Sequence, residues 1–497
     1  MNFSARTKGI LVLAYPIIIA QLGSIMQGWA DTIMVGQYGT SELSAAGFVN
    51  NVFNLFIYFL LGISYATTPV AGACYSQGNH LKVLQTLRNS NVVNLFASLL
   101  VVGLLFVLYL HIDKLGQPEE LLPLMKPYFL VLLASLPFLA LYNSMKQFSD
   151  ALGDTQTPMW VMIGSNVLNL LLNYLFIFML DKGLVGAGVA TLIARALMPV
   201  CMYVALLKGR LLNTPAFLEA KILLEANAQL DSKPHLGRFS FCGQGVFSLF
   251  CLGIPISIQL CLEAGSFNVC AIFMGWIGSS ALAAHQVMCT VSTLGFMVYY
   301  GIGAAAAIRI AHYRGRNDWR EVYKTAQAAF LMSLGAGVVI TASICLAGVP
   351  IASIFTTSDQ VAALFLSFLP CFACYQLGDC LQTVYANALR AIEDVKSMML
   401  YAFVAYCLIS FPLAYVFAFP VGLGAVGIWW SFPFGLTAAG MSFSFSSGRT
   451  YHAACRRRMA LLVFLDRRHT FHKLGLKWKN ADVCFVSMRV FCYLCTQ

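Results

Sequence analysis

Charged residues are scarce in this chain. Asp, Glu, Lys and Arg make up 10% of its 497 residues, whereas about a quarter of the residues in a typical soluble protein are charged. So few charges cannot cover the surface of a water-soluble globule of this length. The mean hydropathy of +0.75 is typical of a chain that crosses a membrane many times. The composition therefore excludes a soluble fold and predicts an all-α polytopic membrane protein.

Motifs of the common hydrolytic and nucleotide-binding enzymes are also missing. The sequence contains no H-E-x-x-H zinc motif, no G-x-S-x-G nucleophile motif and no Walker motif. We therefore expect neither an enzyme nor ATP-driven pumping, and no cofactor. Sixteen cysteines are present, but most lie in apolar segments, where thiols behave as small hydrophobes. Cys371 and Cys374 have C-x-x-C spacing without a nearby His, so we expect no metal site there.

Against this apolar background, three carboxylates lie inside long hydrophobic stretches: Asp31, Glu263 and Asp379. A carboxylate near the middle of a bilayer costs at least about 2.5 kcal/mol, so it usually faces a bundle interior or a water-filled cavity. There it can bind a cation or carry a proton. These residues therefore favour an ion-coupled membrane transporter. The structural alternative for each is a hydrogen bond that only ties neighbouring helices together.

Twelve apolar segments are long enough to cross about 30 Å of hydrocarbon, which takes about 20 helical residues. Their approximate spans are 9–34, 43–73, 91–112, 127–149, 159–180, 184–207, 249–275, 281–308, 325–348, 361–388, 398–419 and 424–446. Prolines inside them are candidate kink sites because each removes a backbone donor. The candidates are Pro16, Pro137, Pro255, Pro370 and Pro412.

The chain repeats itself at an offset of 239 residues. Pro16 then overlies Pro255, and GLVGAG (183–188) lies against GLGAVG (422–427). Each half holds six spans, an even number, so we expect two parallel-repeat six-helix lobes related by an axis along the membrane normal. The predicted organisation is an N-lobe (1–207), a cytoplasmic linker (208–246), a C-lobe (247–447) and a basic cytoplasmic tail (448–497).

Lys and Arg positions indicate that both termini are cytoplasmic, because positive charge accumulates in cytoplasmic loops. With this orientation, the loops around Lys82, Lys146 and Arg390 and the linker are cytoplasmic. The tail carries ten Lys or Arg and two Asp. Its segment RRRMALLVFLDRR (456–468) has an apolar core flanked by basic clusters, which suits the surface of an anionic membrane. No motif supports nucleic-acid binding.

Several motifs occur in a specific order. They are P-x14-D-T-I-M-V-G (16–36), S-A-A-G (44–47), N-V-L-N-x3-N-Y (166–174), G-x2-G-A-G (183–188), A-A-H-Q (283–286) and Y-Q-x2-D (375–379), with Glu263 following Pro255. Over residues 5–446 the chain resembles the NorM-like branch of the MATE (multidrug and toxic compound extrusion) transporters. The resemblance implies a V-shaped pair of lobes, alternating access, and export of organic cations in exchange for Na+ or H+. It also implies a monomer in the bacterial inner membrane.

The resemblance further implies roles for particular residues. Glu263, Tyr375 and Asp379 match the cation site of the C-lobe, and Asp31 with Asn169 and Asn173 matches the polar site of the N-lobe. The two carboxylates and the phenol oxygen could bind Na+. If H+ is the coupling ion, one carboxylate must take up a proton, which a dry cavity favours. The sequence leaves both ions open, and the two Asn residues could instead be interhelical glue.

Other polar residues inside the spans are candidates for the cavity wall. Gln21, Gln259 and Gln286 are the ones we expect to line it. Arg195 stands out as a basic group well inside a predicted span, where it could neutralise an acid or extend to an interface. An alternative function is flipping of a lipid-linked intermediate by a similar two-lobe fold. A flippase would need a basic cavity for a pyrophosphate headgroup, and the three acids disfavour it.

Overall fold

The computed structural model describes residues 3–114, 118–209, 214–220, 222 and 240–473, and the side chains of 240–244, 455 and 457–473 are not described. Most of the predicted linker and the tail beyond residue 473 therefore lie outside the described residues. The chain divides into two units, Met1–Ser447 and Gly448–Gln497. The first unit contains all the buried residues discussed below, and the described part of the second is helical.

The described residues form helices and contain no β-strand. Besides a short helical stretch at 215–220, the α-helices of the described residues are α1 (Phe3–Tyr38), α2 (Thr40–Tyr65), α3 (Thr67–Ser76), α4 (His80–Leu110), α5 (Leu122–Ala151), α6 (Gln156–Asn173), α7 (Gly183–Lys208), α8 (Ser240–Ile277), α9 (Ser279–Gly315), α10 (Trp319–Leu346), α11 (Gly348–Phe355), α12 (Asp359–Ala391), α13 (Val395–Phe403), α14 (Phe411–Ala418) and α15 (Gly424–Lys473). Two π-helical segments, Tyr174–Met179 and Val404–Ser410, continue α6 and α13.

Eleven helical stretches in the described part of the chain are long and apolar enough to cross a membrane. They correspond to the first eleven predicted spans. The twelfth predicted span, 424–446, is the first part of α15 and is not among the eleven. Trp429, Trp430, Ser431 and Pro433 lower its hydropathy. It nevertheless packs into the first unit, because Ile428 and Phe443 are fully buried there.

Backbone conformation repeats at the same offset as the sequence. Gly78 and Asn317 have positive φ values of 72° and 57°, and so do Gly183 and Gly422, with 50° and 77°. The residue that follows Gly78 and the one that follows Asn317 are each the N-cap of a helix. Asn79 accepts a hydrogen bond from the Lys82 backbone N–H, and Asp318 accepts one from Glu321. Each cap satisfies a backbone donor that the helix itself leaves free.

The two lobes meet through helices from each half. In the N-lobe, α1 and α3 pack against α9, and α2 packs against α8. A Cβ atom added at Gly62 would overlap the backbone of Ser257, so a glycine is needed for this approach. Ser257 also donates a 2.6 Å hydrogen bond to the carbonyl oxygen of Phe59. The α2–α8 crossing is therefore a backbone-to-backbone contact.

Hydrogen bonds also join the lobes near the start of α1. Arg6 forms a two-pronged ion pair with Glu321, both at 2.8 Å. Gln77 donates to the carbonyl oxygen of Gly315, and the His312 ring lies 2.7 Å from the carbonyl oxygen of Ala151. We call the end of the first unit that holds these contacts the closed end.

The structure corrects the prediction for two basic residues. Lys146 and Arg390 were expected in cytoplasmic loops, but both lie within helices, α5 and α12, and each is only 6% exposed. For Arg390 the reason is that α12 continues to Ala391, beyond the predicted span 361–388. Lys146 already lies within the predicted span 127–149, so its assignment to a loop was wrong even by the hydropathy pattern. Arg195 is consequently not the only basic group inside a helix of the first unit.

The close contact at Gly62 can be tested by adding one methyl group. We expect Gly62→Ala to reduce the stability of the detergent-solubilised protein by about 1–3 kcal/mol, the usual effect of overpacking. Gly164→Ala is the matched control, because nothing lies within 4 Å of its added Cβ and alanine favours the helix by up to about 1 kcal/mol. Thermal unfolding followed by tryptophan fluorescence measures both. Equal unfolding temperatures for the two variants would contradict the assigned packing.

The division after Ser447 gives a second prediction. A chain that ends at Ser447 should insert into membranes and unfold at the same temperature as the full chain, because the apolar core lies within the first unit. Membrane fractionation and thermal unfolding of the purified truncated protein measure this. A truncated chain that inserts but unfolds at a clearly lower temperature would show that residues 448–497 stabilise the first unit.

Candidate functional site

Glu263 lies on α8, and its carboxylate is held by an amide side chain. One helical turn earlier, Gln259 donates a 2.7 Å hydrogen bond from Nε2 to Oε2 of Glu263. Gln382, from α12, lines the same cavity as this carboxylate. Both amides are essentially buried, with exposures of 0% and 1%, whereas Glu263 is half-buried. A neutral donor therefore holds the carboxylate in place without cancelling its charge.

Asp379 lies on α12 and is nearly completely buried. Its carboxylate accepts a hydrogen bond from the Tyr375 hydroxyl at 3.2 Å and one from the Thr383 hydroxyl at 3.4 Å. The three residues are four positions apart, so they share one face of the helix. The sequence expectation that Tyr375 and Asp379 lie together is met by this geometry. Here too, the donors to the carboxylate are neutral.

Asp31 occupies a comparable arrangement in the N-lobe. Asn173 donates a 2.6 Å hydrogen bond to its carboxylate and a 3.1 Å hydrogen bond to the side chain of Asn169. Asn169 in turn lies 3.3 Å from the Thr191 hydroxyl. Both asparagines are fully buried. They therefore lie inside the N-lobe as a polar cluster around Asp31.

Arg195 is oriented towards the interior of the N-lobe. Its guanidinium donates a 2.9 Å hydrogen bond to the Ser135 hydroxyl, and no carboxylate of the described residues lies within ion-pair distance of it. The geometry therefore does not assign Arg195 to the neutralisation of an acid.

A cavity of about 380 Å³ lies between the lobes, within the usual range of about 300–1,000 Å³ for small-molecule sites. The C-lobe contributes both acids and Tyr375 to its wall. The N-lobe contributes polar and aromatic groups: Gln21, Asn51, Asn54, Tyr58 and Tyr65. Apolar and sulfur-containing side chains complete it: Phe267, Phe296, Met297 and Cys289.

Of the five amide residues predicted to line the cavity, only Gln21 does so in the described structure. Gln259 lies behind the wall, bound to Glu263. Gln286 is exposed and is not among the residues that line this cavity. Asn169 and Asn173 also lie away from the wall. A glutamine inside an apolar span can therefore line the cavity or support an acid, and the sequence does not distinguish the two.

Sequence reasoning missed three residues of the site: Gln382, Thr383 and Arg390. A signal for Thr383 was present, because Tyr375, Asp379 and Thr383 recur every four residues along α12. Arg390 donates a 2.6 Å hydrogen bond from its guanidinium to the Gln259 amide oxygen. Its position near a helix end made it resemble a loop residue in the hydropathy pattern.

The described residues contain no cluster of three or more His, Cys, Asp or Glu side chains with the geometry of a metal site. Cys371 is buried and Cys374 is exposed, so the two thiols of the C-x-x-C pair lie in different surroundings.

Fold and site together define a multi-pass membrane transporter, and comparison with known proteins gives its family. The MatE family model matches residues 16–175 and 255–416, and the second match begins 239 residues after the first, the offset of the internal repeat. The chain belongs to the MatE family.

Relatives with known names agree with this assignment. The chain is 31% identical over 435 residues to a probable multidrug resistance protein NorM of Bradyrhizobium diazoefficiens, covering 84% of this chain and 88% of that protein. It is 26% identical over 441 residues to the multidrug resistance protein NorM of Vibrio vulnificus, covering 86% and 92%. The resemblance to NorM-like transporters is thereby confirmed.

Solved structures confirm the fold class. The eukaryotic MATE transporter AtDTX14 superposes with a TM-score of 0.79 at 16% identity, covering 92% of this chain and 99% of that chain. An outward-facing multidrug resistance MATE transporter of the MOP superfamily gives a TM-score of 0.79 at 19% identity, covering 91% and 97%. The predicted twelve-helix, two-lobe fold is therefore correct.

The polar cluster of the N-lobe leads to a ranked pair of substitutions. Asp31→Asn should reduce transport by about tenfold or more, since it removes a charge from the membrane interior. Asn173→Ala should reduce it by about threefold, as expected for one interhelical hydrogen bond of about 0.6 kcal/mol. Asp113→Asn is the control, since Asp113 pairs with Lys126 at an exposed position. Efflux per inserted molecule decides the ranking, and a larger loss in the Asn173 variant would reverse it.

Proposed function

We propose that this protein is a secondary active antiporter that exports cationic or amphipathic organic compounds in exchange for Na+ or H+. One observation carries the proposal: two carboxylates, Glu263 and Asp379, lie on the wall of a single cavity between two lobes. The relatives named as multidrug resistance proteins support the substrate class.

The chemistry follows from how the acids are held. Their direct partners are amides and hydroxyls, which orient the carboxylates but leave their negative charge to be balanced from within the cavity. Oxygens of Glu263, Asp379 and the Tyr375 phenol line the same cavity, and oxygen ligands suit a hard cation such as Na+. A proton bound to either carboxylate would balance charge equally well. The same acids would attract an organic cation.

Exchange would arise because the coupling ion and the organic cation balance the same charge. An ion that enters the cavity reduces the attraction of the wall for the organic cation, and the departure of the ion restores it. Aromatic and Met side chains next to the acids can contact the apolar part of varied substrates. The cavity is therefore suited to lipophilic cations of different shapes.

Alternating access would require the lobe contacts to open and close. The ion pair of Arg6 with Glu321 and the bond of Gln77 to Gly315 hold the lobes together at the closed end. With both termini cytoplasmic, as the Lys and Arg distribution predicts, this end faces the cytoplasm. The state described here would then be closed to the cytoplasm. The bacterial relatives support a location in the inner membrane.

Buried basic groups near the cavity bring the flippase alternative back into consideration. Lys146 and Arg390 supply the positive charge that a pyrophosphate headgroup would need. However, Lys146 is neutralised by Asp150 at 3.1 Å, which leaves one cation against two cavity acids. Antiport of organic cations therefore remains the better-supported function.

The two cavity acids provide the decisive test. Glu263→Gln and Asp379→Asn should each reduce gradient-driven export by at least about tenfold, because the coupling ion loses the charge that binds it, with insertion unchanged. The assay is efflux of the fluorescent cation rhodamine 6G from proteoliposomes under an imposed Na+ gradient and, separately, an imposed H+ gradient. The gradient that drives efflux in the wild-type protein identifies the coupling ion.

Glu119→Gln is the matched control, because it removes a carboxylate from an exposed position outside the predicted spans. It should leave efflux unchanged under either gradient. Wild-type efflux in the Glu263 or the Asp379 variant would remove that residue from the coupling site.

A further inference from the structure

The cavity between the lobes continues at its inner end into a small recess that the proposed antiport does not use. Arg390 lines both the main cavity and the recess, and Lys146 and Asp150 line the recess. The hydroxyls of Tyr65 and Tyr300, 2.6 Å apart, lie at the junction of the two spaces. The inner end of the substrate space is therefore polar and contains cations.

Unlike several other buried or half-buried cations of the lobes, Arg390 has no carboxylate within ion-pair distance among the described residues. Arg6, Lys146 and Arg314 each form an ion pair, with Glu321, Asp150 and Glu393. By contrast, Arg390 forms no ion pair with any residue that the structure describes. Its partners are the neutral amide of Gln259 and the ring of Tyr65, whose centroid lies 5.2 Å from the guanidinium carbon.

The hydrogen bonds of Arg390 are also incomplete. Its Nε–H is buried and has no acceptor in the described part of the protein. The residue as a whole is only 6% exposed, so bulk water does not replace the missing acceptor. A buried donor without an acceptor costs about 1–3 kcal/mol, more for a charged group. The recess thus contains a fixed positive charge that lacks an anionic partner and has a free donor.

Gln259 separates this charge from the acid of the same cavity. The amide accepts from Arg390 through Oε1 and donates to Glu263 through Nε2. A glutamine in this position prevents a direct ion pair and keeps the two opposite charges at fixed, separate places. The cavity therefore has an acidic part at Glu263 and Asp379 and a basic part at Arg390.

We propose that Arg390 forms an anion subsite of the cavity, which binds the carboxylate of a transported zwitterion whose cationic group lies at the two acids. This inference rests on the proposed antiport function and adds a specificity-determining residue to it. A guanidinium suits a carboxylate because its N–H groups form a planar fork that matches the two oxygens. A bound carboxylate would also supply the anionic partner that Arg390 lacks.

Two dyes that differ by a single ester group test the subsite. Rhodamine 19 is a zwitterion at neutral pH, and rhodamine 6G is its ethyl ester, a cation without the carboxylate. In proteoliposomes, Arg390→Gln should reduce the ratio of rhodamine 19 efflux to rhodamine 6G efflux by about tenfold or more, as expected for a lost hydrogen bond to a charged group. Arg390→Lys, which keeps the charge, should retain a larger share of the wild-type ratio.

Lys126→Gln is the matched control, because it removes a positive charge from an exposed ion pair that does not line the cavity. It should leave the ratio unchanged. An equal loss of both dyes in Arg390→Gln would mean that Arg390 supports the site as a whole, and an unchanged ratio would mean that it binds no anion. Either result overturns the subsite.

Binding to the purified wild-type protein gives a measurement that does not depend on any variant. A cavity with an anion subsite should bind rhodamine 19 more tightly than rhodamine 6G in fluorescence anisotropy titrations. A purely acidic, apolar cavity would prefer the more apolar ester, and that order of affinities overturns the proposal. If rhodamine 6G itself is not exported, the antiport function fails. If rhodamine 6G is exported but Arg390→Gln does not change the ratio of rhodamine 19 efflux to rhodamine 6G efflux, only the subsite is ruled out.

Discussion

Desolvation of charge is the constraint on which this structure depends. An ionised side chain inside a bilayer has no bulk water, so the protein must provide its hydrogen bonds. Each of the three acids predicted from the sequence receives them from neutral donors: Asp31 from Asn173, Glu263 from Gln259, and Asp379 from Tyr375. Neutral donors lower the cost of burial while leaving the net charge in place. An acid held in this way can still exchange one cation for another.

Ion pairs serve a different purpose in the same unit. Arg6 with Glu321 and Arg314 with Glu393 lie near helix ends at the closed end, and Lys146 with Asp150 lies beside the recess. A paired charge is already satisfied, so it fixes geometry and does not attract a mobile ion. Fixed pairs at one end and neutral support around the cavity acids thus separate the contacts that hold the lobes together from the groups suited to exchange.

The two lobes share a fold but differ in chemistry. The repeat preserves turns, caps and positive φ positions, which are set by backbone geometry. It does not preserve the acids, which occur on α1 in the N-lobe and on α8 and α12 in the C-lobe. Asp31 is bound to Asn173 within the N-lobe, whereas the C-lobe acids face the shared cavity. Repetition therefore supplies the scaffold, and individual substitutions give each lobe its own site.

Much of this architecture could be predicted from the sequence, because hydrophobic length and the 239-residue repeat are strong signals. The pairing of Tyr375 with Asp379 followed from their spacing of four. The role of Gln259 could not be predicted, since an amide that supports an acid and one that lines a cavity look alike in sequence. Arg390 was missed because hydropathy marks where apolar residues end, which is earlier than where the helix ends. The π-helical segment Tyr174–Met179 has no proline nearby to indicate it.

The position of Glu263 relative to the lobe contact links ion binding to lobe movement under the proposed function. Ser257 on α8 touches the backbone of α2, and Gln259 and Glu263 follow on the same helix within two turns. A helix is stiff over that distance, so a shift at the α2–α8 crossing must carry the acid with it. Gln259 also connects Glu263 to Arg390 on α12. A cation that binds Glu263 would change the hydrogen bonds that join Glu263, Gln259 and Arg390. It would therefore act directly on α8, the helix that contacts the other lobe, with no flexible segment between them.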